Sequence, residues 1–405
     1  MGILPEIQNV ANQRIVEVLV SKLRRRQLVG SRQTAIETVL VLRQVVAKAR
    51  FSNIEQLIQI IKAVGRRLVQ AQPKGVYPSP VYSFPVHSIG LLNASAFVSL
   101  PYPEHTVGNT VRKVLHHVRE EYHAVSRAGP STQTQKSSFL ISKFVSQGQP
   151  RKQTLAAPKS EARTTSLREN DPDDPDSFAK GLKPVLMEAI QDVLDELETV
   201  YDNVSKSARD HIHSDEIVLT IGHSKTVESF LKAAAHYRNY TVIVAESAPS
   251  FGGHEMARSL SSAGISTFLV PDSSIYALMS RVNKCILGAH AILANGGMFA
   301  ITGSLLAVSA AQAHSTPVVV CAGQFKLTPL WNLYHEYGAL DFADPSSVLG
   351  FEEGSLVDKV DVVNPYFDYV GPELINVYIT NDGDHPPSSV YRLIKESYDD
   401  EDHEL

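Results

Sequence analysis

The chain has 405 residues, with 38 Lys and Arg against 43 Asp and Glu, a formal charge of −5, and 43% hydrophobic residues. Such a composition can bury a core and does not force disorder, and the length suits two or three domains of about 150 residues each. No apolar run approaches the ~20 residues of a membrane span, no charged-then-apolar leader opens the chain, and Cys285 and Cys321 are too few for a disulfide framework or a zinc module, so a cytosolic protein is expected.

Residues 1–72 hold twelve Lys or Arg against four Glu, a net of +8. Apolar positions recur there at three and four: Ile15, Val18, Leu19 and Leu23, then Ile36, Val39, Leu40 and Val46, then Ile54, Leu57, Ile58, Ile61 and Leu68. That spacing predicts helices, with Ser31 and Asn53 as N-caps, joined briefly enough to form an antiparallel bundle. A further helix is expected over Val107 to Tyr122. Between 126 and 178 the texture turns to nine Ser, five Pro, Gln and basic residues, which predicts a disordered insertion. A linking helix follows, with Val185, Leu186, Ala189, Ile190, Val193, Leu194 and Leu197 on one stripe.

From 215 the grammar becomes strand, turn, helix. Ile217 to Ile221, Thr241 to Ala245, Ile265 to Val270, Lys284 to Leu287 and Pro317 to Cys321 are near-continuous apolar runs separated by helical patterns. Runs of this kind predict a parallel sheet covered on both faces. The expected fold is therefore α/β: an N-terminal helical domain at 1–125, an insertion at 126–178, a linking helix at 179–210, and a Rossmann-like doubly wound domain at 211–405. Residues 381–405 carry eight acids against two bases, a net of −6, and are expected to be a solvated tail.

In such a sheet, ligands bind outside the carboxyl ends of the strands. That rule nominates Gly222, His223, Ser224, Lys225, Glu246, Asp272, His290 and Asn295-Gly296-Gly297. The last can expose backbone N–H groups to a phosphate or form a tight turn. No G-x-G-x-x-G follows a strand and no P-loop is present, so no dinucleotide or other cofactor is expected. His211-Ile212-His213 and His116-His117 lack a third ligand, no H-E-x-x-H occurs, and no metal is expected. G-x-S-x-G is missing as well, which removes a hydrolase elbow.

Thr220-Ile221-Gly222-His223-Ser224, Val244-Ala245-Glu246-Ser247, Gly253-His254-Glu255-Met256-Ala257, Gly288 to Gly297 and Thr302-Gly303-Ser304 resemble the regulatory subunits of eukaryotic translation initiation factor 2B and their relatives, the methylthioribose-1-phosphate and ribose-1,5-bisphosphate isomerases. Phe367-Asp368-Tyr369-Val370-Gly371-Pro372-Glu373-Leu374-Ile375 and Pro387 to Ile394 are similar to the C-terminal signature of the regulatory subunits, with Gly371 in place of a more usual proline. Gly222 to Glu228 and Phe325 to Pro329 look most like the beta-type members. The isomerases carry a Cys after the first strand, an Asp after the fourth and a Lys in the phosphate loop. The resemblance places Gly222, His290 and Ile301 at those positions, so the catalytic groups are absent and a relic pocket is implied.

The resemblance implies a non-catalytic regulatory and scaffold subunit of a guanine nucleotide exchange complex, paired with a delta subunit alongside alpha, gamma and epsilon subunits. Exchange itself would belong to another subunit. Glu246, His254 and Glu255 are the implied subunit interface, and the basic front, with Arg24, Arg25 and Arg26, the implied contact with the alpha subunit of initiation factor 2. The alternative is a sugar-phosphate isomerase, or a sugar-phosphate or nucleotide sensor, of the same fold. Direct nucleic-acid binding is not expected, since the basic front lacks interleaved aromatics and a known motif.

Overall fold

The computed structural model describes residues 10–71 apart from 26, 29 and 52, then 105–127, 175–331, and 343–403 apart from 358. The helical part comprises α1 (Val10–Arg24), α2 (Ser31–Lys48), α3 (Ile54–Ala71) and α4 (His105–Arg127). Its helices follow the three-and-four spacing: Leu57, Ile61, Val64 and Leu68 of α3 line one fully buried stripe. Gly30, with φ 94, takes the cap position of α2, so Ser31 is the first helical residue and not the cap. A 32-residue helix, α5 (Pro175–Lys206), and the short α6 (Ala208–His211) lead into the sheet. Residues 126–127 and 175–178 of the expected disordered insertion are thus helical, and 128–174 lie outside the described residues.

The order then runs β1 (Ile217–Ile221), α7 (Lys225–Ala235), β2 (Thr241–Ala245), α8 (Gly252–Ser262), β3 (Ser266–Val270), α9 (Ile275–Met279), β4 (Lys284–Gly288), β5 (Ala291–Leu293), β6 (Met298–Ile301) and α10 (Ser304–Ala313). After these come β7 (Val318–Cys321), β8 (Leu327–Thr328), β9 (Phe367–Val370), β10 (Val377–Thr380), β11 (Gly383–His385) and α11 (Val390–Ser397). Seven strands form one sheet in the order β11-β10-β7-β4-β1-β2-β3, parallel except for β11. A second sheet, β8-β5-β6-β9, was not foreseen. Its strands of two to four residues are too short to show a period.

Along each central strand, alternate residues enter different cores, as the period of two requires. Val218, Val242, Val244, Ile286 and Val319 face one side, where they join α7, α8, α5 and the bundle in a single apolar cluster. Leu219, Ile243, Cys285, Leu287 and Val320 face the other, against α9, α10 and α11. Leu186, Ile190 and Val193 of α5 lie in the first cluster, so the helix expected to link the two parts is itself core.

Polar contacts fasten the same seam. Asn109 donates to the Phe325 carbonyl at 3.2 Å, and Lys113 pairs with Glu196, whose other oxygen accepts from Asn381 at 3.1 Å. The acidic tail is not wholly solvated: Asp400 and Glu401 are exposed, but Asp402 has 0% exposure and is bonded to Arg119 and Lys62. Among the described residues, no helix is long and apolar enough to cross a membrane.

Truncating Ile190 to alanine would leave a cavity in the shared cluster. We expect a loss of about 2–5 kcal/mol in chemical denaturation. Far-ultraviolet ellipticity and the fluorescence of a probe placed on the sheet should shift together, because both parts lean on one core.

Candidate functional site

The parallel strand order reverses between β1 and β4, and the loops after these strands meet there. Gly222, directly after β1, has φ +61, a left-handed conformation that side chains disfavour. A Cβ on it would stand 3.2 Å from Cδ1 of Ile301 and 3.4 Å from Cβ of Ser247. Across the reversal, a Cβ on Gly288 would lie 2.5 Å from the Ser224 hydroxyl. The crevice is therefore narrow, and the wall beside Gly222 is an aliphatic side chain.

His223 pairs through Nε2 with Glu228 at 3.0 Å and lies 3.8 Å from Glu255 through Nδ1. Glu228 also accepts from Lys232 at 2.7 Å and from the Ser259 hydroxyl. Burial alone would push the Glu228 carboxyl up, but hydrogen bonds from Lys232, Ser259 and His223 outweigh it and hold the pKa at about 2. That carboxylate is committed to joining α7 to α8. Asp272 is committed too: it accepts from the backbone N–H of Ser247 at 2.9 Å and of Ala248 at 2.7 Å, fixing the loop after β2. Glu246 sits 3.7 Å from His254, and Glu255 is 71% exposed on the outer rim.

His290 keeps slight solvent contact, yet its ring is walled in. It stacks on Phe367 at 4.2 Å between centroids and meets the His105 ring at 6.4 Å. Lys326 donates to the neighbouring Ala289 carbonyl at 2.6 Å. Lost hydration, then the nearby His105 and Lys326, lowers the His290 pKa to about 3. His105, itself buried, falls to about 4, through burial first and Arg112 second. Both rings are neutral at pH 7 and serve as aromatic packing.

Asn295-Gly296-Gly297 forms the turn between β5 and β6, and its polar groups are used within the fold. Asn295 Oδ1 accepts from Gly297 N at 3.0 Å, Gly296 N donates to Leu293 O, and the Gly296 carbonyl accepts from Tyr378 at 2.8 Å. The turn lies at one end of β6 and Ile301 at the other, roughly 10 Å apart along the strand. The structure thus brings Gly222, His223, Ser224 and Asp272 together and separates them from this turn. At α10, Asp368 Oδ2 accepts from Gly303 N at 2.8 Å and Leu305 N at 3.0 Å, so the helix start is capped by the chain's own carboxylate. Sequence reasoning placed Asp368 in a signature but not in this role, since nothing local marks a cap contributed from 63 residues away.

No two of these groups are arranged as nucleophile and base. Burial pushes the Cys285 thiol up to about 12 and Cys321 also upward, so neither is a ready thiolate. Among the described residues, no group of three or more His, Cys, Asp or Glu side chains is placed to hold a metal ion. Arg24 and Arg25 are exposed at the end of α1, and Arg26 lies outside the described residues.

A family model described as the initiation factor 2 subunit family matches residues 27–387. This chain belongs to that family. It is 37% identical to translation initiation factor eIF2B subunit beta of Schizosaccharomyces pombe, over 96% of each chain. It is 28% identical to the ribose 1,5-bisphosphate isomerase of Pyrococcus furiosus, over 54% of this chain and 68% of that protein. Among solved structures, eIF2B beta from Chaetomium thermophilum superposes with a TM-score of 0.66 at 27% identity, covering 97% of this chain and 94% of that one. A chain of the tetrameric eIF2B beta2-delta2 complex from the same organism gives 0.61 at 26%, covering 96% and 95%.

The buried His105 carries a pH dependence. Its folded pKa lies below the ordinary 6.5, so the unfolded chain binds a proton first, and stability present above about pH 6.5 is lost as the pH falls toward 4. The slope is at most about 1.4 kcal/mol per pH unit for one such group. His105→Phe should lose less melting temperature between pH 7 and pH 5 than the wild type. Glu228 does not interfere, because its contribution is lost only below its ordinary value of 4.5.

Proposed function

We propose that this chain is a beta-type regulatory and scaffold subunit of an initiation factor 2B guanine nucleotide exchange complex in the cytosol. It pairs directly with a delta-type subunit and assembles with alpha, gamma and epsilon subunits, and another subunit catalyses exchange. The observation that carries this reading is the near-full-length similarity to an eIF2B beta subunit. The solved complex of related beta and delta chains supports the pairing.

Turnover by this chain is not part of the reading. Gly222 offers no acid or base, Ile301 no cation for a phosphate, and the His290 ring is held neutral against Phe367. The same fold with a different site is an ordinary outcome, and the distant isomerase likeness carries no activity with it.

Pairing uses the carboxyl edge of the sheet. Glu246, His254 and Glu255 stand there beside Phe251, whose exposed ring meets His254 edge-on at 5.5 Å. Leu305 and Tyr366 are also exposed, and Tyr366 continues the same edge through the hydrogen bond from Thr302 N to its carbonyl. Clustered exposed apolar side chains mark a protein contact. Arg24 and Arg25, with the rest of the basic bundle, hold the alpha subunit of initiation factor 2 by charge-assisted contacts that weaken with salt. No direct nucleic-acid contact is involved.

Glu255→Lys and Tyr366→Asp should each weaken binding to a delta-type partner by tenfold or more, about 1.4 kcal/mol, in a surface-capture assay. Arg24→Glu with Arg25→Glu should spare that pairing and weaken retention of initiation factor 2. A chain that stays a clean monomer beside its delta-type partner would overturn the reading, as would turnover of ribose 1,5-bisphosphate by the purified chain.

A further inference from the structure

The tail begins at Tyr398, whose buried hydroxyl donates to the Leu327 carbonyl of β8 at 2.9 Å. From there Asp399 to His403 crosses the groove between α3 and α4. Arg119 reaches Asp402 with both terminal nitrogens, one at 3.0 Å, and Asp399 at 2.7 Å. Lys62 of α3 pairs with Asp402 at 2.8 Å, and His116 Nδ1 lies 3.2 Å from Asp399. Arg112 donates to the main-chain carbonyls of Asp402 and His403, each at 3.0 Å, while Asn109 steadies its third nitrogen at 3.2 Å.

The groove is thus lined by Lys62, Arg112, Arg119 and His116, all from the helical part, and its occupant is the far end of the chain. A cation or carboxylate out of water is strongly disfavoured unless it is paired and hydrogen-bonded. Asp402 has 0% exposure and Arg112 only 7%, so neither side of this contact is left solvated. The forked approach of Arg119 and the two carbonyl bonds to Arg112 read backbone path as well as charge, which a loose surface ion pair would not do.

We propose that the acidic C-terminal segment Asp399–His403 is a self-ligand that straps the helical part to the sheet, seated in a basic groove built to receive an acidic peptide. Vacating the groove leaves its cations facing one another, so an acidic segment of the same kind supplied in trans refills it. The occupant in the intact protein is the chain's own tail.

The test compares the full chain, Asp402→Asn in the full chain, and a chain ending at Tyr398. Hydrogen exchange of α3 and α4 should quicken about tenfold or more on truncation and by less in Asp402→Asn. A synthetic peptide of residues 397–405 should bind the truncated chain but not the full one. Binding should weaken steeply between 50 and 500 mM salt, and the peptide should restore protection. The same peptide with both Asp399 and Asp402 changed to Asn should fail to bind.

Unchanged exchange on truncation would overturn the proposal, as would a folded truncated chain that ignores the peptide. Should truncation prevent folding, Arg119→Asp and Asp402→Arg serve instead in the full chain. Each alone should lose protection of α4 and the pair together should recover part of it, and no recovery counts against the strap. Loss of oligomer size in step with loss of protection would place the tail on a second copy and sink the assignment to the same chain.

Discussion

A parallel sheet has two apolar faces, and both must be shielded from water. In this chain β1, β2, β4 and β7 send neighbouring residues to opposite sides, so the sheet demands two cores at once. One is closed by α9, α10 and α11. The other takes α7 and α8 and then continues without a break through α5 into α1 to α4. The helical part is consequently the outer layer of the sheet's own core, and its position follows from where α5 lies.

Charge is arranged along the same seam. The formal −5 of the chain conceals a basic front of +8 and an acidic end of −6, which the fold places in contact at Lys62 and Asp402, with Arg119 of α4 alongside. Part of the front is also consumed internally: Lys22 pairs with Glu37, Arg67 with Glu17, and Arg32 binds the Leu197 and Glu198 carbonyls of α5. The basic residues left exposed, among them Arg24 and Arg25, are fewer than the net +8 suggests, and Arg24 and Arg25 sit where a helix C-terminus already favours a cation.

At the carboxyl edge, Asp272 and the Asn295 turn, both expected to meet a ligand, have structural occupations, as do the neighbouring Glu228 and Asp368. Glu228 ties α7 to α8, Asp272 clamps the loop after β2, Asp368 caps α10, and the Asn295 turn is closed by its own bonds and by Tyr378. His290 is packed as an aromatic ring.

The sequence by itself determined the strands from β1 to β4 and β7, the helices between them and the stripe of α5, because those elements announce themselves through local periodicity. It also marked Gly222 and Ile301 as positions without an acid, a base or a cation, since residue type alone decides that. Only the tertiary structure decided the second sheet, the cap from Asp368, the neutral His105 and His290 pair, and the fate of the tail. Each of these joins residues far apart in the chain, 283 positions in the case of Arg119 and Asp402, and a run of acids looks the same whether water or an arginine fork will meet it. What separates the two cases is a long-range desolvation balance, which exists only once the helices and the sheet have closed on each other.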